Sequence, residues 1–163
     1  MIRVMAIALL VAQTALAEEI TITGRVESKC VITSEIPGIY GNPTANKLST
    51  AAADGGVQPI IRYDVSLADA YNAQITLPTT FSSSPSLSDT VDFSGEVLVK
   101  EVSNPEMASY ETSKAMFGDT TQYDMKLEGS TWFEVSSLAE YGYGKAFPGG
   151  EYRAVVQAEC IAK

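Results

Sequence analysis

The sequence predicts an all-β protein, an antiparallel sandwich or barrel, and three observations carry that expectation. Helical periodicity is scarce, whereas Thr, Ser, Val, Tyr and Gly fill most segments, the composition of half-buried strands and their turns. The regions flanking the two cysteines both alternate apolar and polar residues, and each cysteine sits on the apolar parity of its run. Clusters of Gly, Pro, Asn and Asp punctuate the chain at the short spacing of an antiparallel fold.

Residues 1–17, MIRVMAIALLVAQTALA, read as a signal peptide. Arg3 precedes an apolar run over 4–12, and Ala15-Leu16-Ala17 supplies the small-x-small pattern that a signal peptidase cuts. That run is too short to span a bilayer, so the mature protein is not expected to cross a membrane. Residues 18–163 are expected to form one β-sandwich domain, located in the periplasm or at the cell surface. Export makes a disulfide between Cys30 and Cys160, the two cysteines present, the default expectation. With no histidine and no CxxC, neither a metal site nor a cofactor is expected. The net charge is −9, and loss of Arg3 with the leader makes the chain more acidic still. This argues against nucleic acid and anionic membranes as partners.

Taken in order, 19–33 (EITITGRVESKCVIT) reads as one strand, with Ile20, Ile22, Gly24, Val26, Cys30 and Ile32 sharing a face. Residues 34–58 read as a long, turn-rich connection. Residues 59–67 and 71–77 read as two strands, and 78–89 (PTTFSSSPSLSD) as a surface loop. Further strands are expected at 90–93, 96–102, 122–127 and 131–135, with a short helix within 104–113. In the last run Tyr152, Ala154, Val156, Ala158 and Cys160 share a face, introduced by a turn at Gly149-Gly150. Both cysteines then face the core, and their strands must be neighbours or face each other, since bridged Cα atoms lie within roughly 7 Å.

ITITGRVESKCVI resembles the first strand of chaperone–usher pilins, in which a Gly-x-Val step precedes a core cysteine. PGGEYRAVVQAEC resembles their final strand, and STAAADGGVQPIIRYDV is similar to the approach to the second strand in spore-coat-U-like pilins. The resemblance implies an incomplete Ig-like antiparallel β-sandwich, here with its first and last strands joined by a disulfide. It also implies a groove beside the last strand, lined by Tyr152, Ala154, Val156 and Ala158. In that family a periplasmic chaperone and then the N-terminal extension of the next subunit fill the groove by strand addition, in which main-chain hydrogen bonds give affinity and alternate side chains fill pockets. The chain departs from the family in having no cysteine between the terminal pair. A donor between the terminal strands would hold them roughly 9.5 Å apart, so bridge and groove coexist only with the cysteines at one pole. The short stretch before Cys30 can serve as donor or as first strand but not comfortably as both, which leans towards a pilin-like sandwich that is self-complete.

Catalytic chemistry is not expected. Without histidine, Ser-His-Asp and Cys-His arrangements are impossible. Asp89 with Asp92 and Asp119 with Asp124 read as solvated carboxylates; the second pair lacks the regular spacing of a calcium loop. Of the adjoining Trp132 and Phe133, one is expected inside and one outside. Tyr141, Tyr143 and Phe147 read as packing or loop anchors before they read as a sugar-stacking surface. The expected function is a structural subunit or accessory component of a bacterial surface fibre, with identical or related subunits and a periplasmic chaperone as partners. The alternative is a free-standing exported binding module for a protein or glycan.

Overall fold

The computed structural model describes residues 21–24 and 29–163; the expected signal peptide lies outside them. In chain order the strands are β1 (Cys30–Ile36), β2 (Gly41–Thr44), β3 (Lys47–Ser49), β4 (Ile60–Val65), β5 (Tyr71–Thr76), β6 (Phe81–Ser83) and β7 (Val91–Ser94). They continue with β8 (Val97–Val102), β9 (Ala115–Phe117), β10 (Thr120–Met125), β11 (Gly129–Val135), β12 (Leu138–Tyr141), β13 (Arg153–Ala154) and β14 (Gln157–Ala162). All pairings are antiparallel, in four sheets ordered β1-β4-β11-β8, β14-β5-β10-β9, β2-β3-β12-β7 and β13-β6.

The fold is mostly β, as the residue pattern predicts, and is not a barrel; its four sheets replace the expected single pair. The reason is visible where strands run through. β11 continues into β12 across Ser136-Ser137, and β7 continues into β8 across Gly95-Glu96. The burial parity survives the break, with Thr131, Phe133, Val135, Ser137, Ala139 and Tyr141 all buried. At the bend Ser136 N donates to Glu96 O and Glu96 N donates to Ser136 Oγ, both at 2.9 Å. A Cβ at position 95 would stand 2.2 Å from the Ser136 carbonyl oxygen, so the close approach requires glycine.

The main core lies between the first two sheets. Ile61, Tyr63, Val65, Val97, Phe133 and Val135 come from one, and Tyr71, Ala73, Ile75, Tyr123 and Met125 from the other. The rings of Tyr63 and Tyr123 pack on Phe133 at centroid distances of 5.4 and 4.4 Å. The expected short helix within 104–113 is a 3-10 segment, Pro105–Ser109, capped by the Asn104 side chain, followed by the helical turn α1 (Tyr110–Ser113). It inserts Met107 and Tyr110 into the core.

Cys30 and Cys160 are bonded, with Cα atoms 6.4 Å apart at a sequence separation of 130. In the chain-entropy treatment, closing such a loop stabilises by roughly 5 kcal/mol. The first and last strands are therefore joined, as expected, although they belong to different sheets. Lys163, three residues on, donates its N–H to Ala70 O (3.0 Å), and its ammonium pairs with Asp69 and Asp124. The bridge fits export to an oxidising compartment. Among the described residues no helix is long and apolar enough to cross a membrane.

Three expectations need correction. The strand drawn over 19–33 begins at Cys30 and extends to Ile36; Thr21–Gly24 lies outside any strand, with Ile22 94% exposed and nothing within 4 Å of a Cβ at Gly24. Alternation supplies a strand only where a core or a partner receives it, and neither reaches these residues. Residues 19, 20 and 25–28 of that run lie outside the described ones. The single last strand is two, β13 on β6 and β14 on β5. Pro78, between β5 and β6, has no N–H for a continuous ladder. Finally, the supposed connections at 34–58 and 78–89 contain β2, β3 and β6.

Candidate functional site

β1 and β14 are each the outermost strand of their sheet, and both border one cleft of about 1040 Å³. On the β14 side Tyr152, Ala154, Val156 and Ala158 line it, each half-buried; Arg153, Val155, Gln157 and Glu159 alternate with them as exposed residues, of which Arg153 and Val155 still border the cleft. The alternation that put these four on one face of the sequence thus places all four on one wall. Ile32 and Ser34 of β1 form the facing wall, and Ile61 of β4 closes the floor between them. Gly149 and Gly150 bend the chain into this wall. Gly150 has φ +153°, and a Cβ there would meet Pro85 at 2.5 Å.

The cleft has two unlike ends. The bridge closes one, because Cys30 opens β1 and Cys160 continues the parity of Ala158. The cysteines therefore sit at one pole, the arrangement that lets a bridge coexist with a groove. At the other end Tyr40, Phe81, Phe147 and Tyr152 pack edge to face, the ring of Phe81 lying 6.3, 6.0 and 5.1 Å from those of Tyr40, Phe147 and Tyr152. Tyr152 Oη donates to Pro148 O at 2.6 Å, which holds the ring at the mouth.

The floor near this aromatic end is polar and internally satisfied. Tyr40 Oη and Ser137 Oγ are 2.7 Å apart, and Ser137 N donates to Thr50 Oγ1 at 2.9 Å. Burial raises the Tyr40 phenol above its ordinary value, against the opposing effect of Ser137. Charge is confined to the lip, where Glu151 and Arg153 pair with each other at 2.8 Å. The cleft presents two strand edges, apolar side chains at alternate positions and a neutral floor.

The other residues singled out in the sequence lie elsewhere. Phe133 is in the core and Trp132 on the outer face, with the Arg62 guanidinium 5.9 Å from its ring centroid. Tyr141 is buried; the Ser88 hydroxyl at 3.1 Å and then Ser88 N, which donates to the phenol at 2.8 Å, lower its pKa. Its ring stacks on Phe147 at 5.2 Å, whereas Tyr143 is fully exposed. Asp124 is taken by Lys163, and no group of three or more His, Cys, Asp or Glu among the described residues is placed to hold a metal ion. Sequence reasoning missed the cleft's floor. Tyr40, Leu48, Thr50 and Ser137 come from loops and short strands joined only by tertiary pairing, such as Thr50 N to Ser137 O at 2.9 Å.

No protein-family model matches the chain, and no curated protein is significantly similar to it.

Proposed function

We propose that this chain is an incomplete Ig-like sandwich that acts as a structural subunit or accessory component of a bacterial surface fibre and assembles by β-strand addition. The observation that carries the reading is the cleft between the two outermost strands β1 and β14, walled by alternate small and apolar side chains and closed at one end by the disulfide. A strand laid there would find main-chain edges on both sides and pockets at every second residue. The segment ahead of Cys30 is the natural donor to a neighbouring subunit, since Ile22 stands exposed outside the cleft of its own chain. A periplasmic chaperone would hold the cleft before assembly. We assign no catalytic role and no cofactor.

The bridge also supports a second reading, a self-complete exported binding module, because it already ties the two edges together without a donor. Electrophoresis of the purified, oxidised protein in mild denaturant separates the two. Strand addition predicts ladders, or aggregation relieved by a chaperone, and loss of the ladders in Val156→Asp and Ile22→Asp. Clean monomers that melt reversibly on their own would overturn the fibre reading and favour the module.

A further inference from the structure

The side of the β14-β5-β10-β9 sheet turned away from the core differs from the rest of the surface. One cross-strand row carries Gln157, Thr76, Thr120 and Phe117, and the next carries Glu159, Gln74, Gln122 and Ala115. On the outer side of the first sheet the polar groups satisfy one another, through Arg62 with Glu35 and Asp64 and through Lys100 with Glu134. Here they do not. Apart from the Thr76–Thr120 hydroxyl pair at 2.8 Å, no hydrogen bond to the protein reaches the side chains of Gln74, Gln122 or Gln157 among the described residues.

This face runs into a cleft of about 500 Å³ between the β5–β6 connection and the β9–β10 turn. Thr79, Thr80, Asp119 and Gln157 line it with free hydroxyl, carboxylate and amide groups, and Phe117 at its edge is 65% exposed. We propose that this cleft is a binding site for a neutral saccharide of one or two rings. The volume lies in the range of small-ligand sites. Hydroxyls and amides both donate and accept, as sugar hydroxyls require, and a carboxylate can accept from two neighbouring ones. The exposed Phe117 ring offers an apolar platform for a sugar face. No cation lines the cleft, and the chain is acidic overall, so uronic and sialic acids are disfavoured. Gln157 faces away from the wall built by Val156 and Ala158, while Pro78, Ser82 and Val155 border both this cleft and the larger one.

The test is an NMR titration of the exported, oxidised, 15N-labelled protein with maltose, cellobiose, lactose and N,N′-diacetylchitobiose, and with digalacturonate as the acidic control. At least one neutral disaccharide should shift the amides of Thr79, Thr80, Asp119 and Gln157 with a Kd on the order of 1 mM. Phe117→Ala and Asp119→Asn should each weaken it by about tenfold or more, and Tyr143→Ala should not. The proposal is overturned if none of the four shifts these amides, or if digalacturonate binds as well as they do. Shifts at the same amides on concentrating the protein without sugar would also overturn it, by assigning the face to a second copy.

Discussion

The phenol of Tyr63 reaches from β4 to the carbonyls of Gln74 (3.0 Å) and Glu159 (3.2 Å), so a side chain of one sheet hydrogen-bonds two strands of the other. Tyr63→Phe keeps the ring against Phe133 and loses only these contacts. It should lower stability by about 1–2 kcal/mol, seen as a lower urea midpoint with an unchanged slope. Burial raises the phenols of Tyr63 and Tyr123 far above their ordinary value. The sign follows from linkage: a pKa higher folded than unfolded leaves stability intact below the unfolded value of about 10, and removes it as pH rises towards the folded one. An alkaline titration tests this. Absorbance from the two buried phenols should appear only together with loss of the β-sheet circular dichroism; their ionisation in a still-folded protein would contradict this burial.

β11 and β14 both alternate, yet they occupy different environments. Phe133 is fully buried, whereas Ala158 and Cys160 of β14, and Val156 just ahead of it, remain half-exposed. Phe133→Ala should therefore cost about 3–5 kcal/mol, and Val156→Asp, whose carboxylate stays hydrated in an open cleft, about 1 kcal/mol or less. Thermal melts of the two variants check the contrast, and an equal loss from both would mean that the cleft is occupied. The same contrast explains what was legible in the sequence. Segments 59–67, 71–77 and 96–102 announce their strands because one parity meets the core, and the cleft wall from Tyr152 to Ala158 was legible for the same reason. β2, β3, β6 and β9 were not: three or four residues carry too little alternation, and Gly41-Asn-Pro-Thr44 has the composition of a turn. The far wall was legible only through Ile32, on the parity of Cys30. The floor depends on Tyr40, Thr50 and Ser137, which long-range pairing brings together. Four sheets replaced two because the bend at Gly95 and Ser136 is set by a backbone approach that no periodicity records.

Across the protein, the bridge joins two edges that no ladder connects. Cys160→Ser, alone or with Cys30→Ser, should cost several kcal/mol, up to roughly 5 kcal/mol in the chain-entropy treatment, and should reduce secretion. Calorimetry of the oxidised and substituted proteins measures the loss, and identical melting would mean that the bridge does not form. Its position has a mechanical consequence. Tension applied between residue 29 and the final lysine passes through the sulphur atoms, and the chain they enclose, closed at a sequence separation of 130, carries none of it. Pulled by its two ends in an optical trap, the oxidised molecule should barely lengthen. A reductant should release roughly 450 Å of hidden length, at about 3.5 Å for each residue set free.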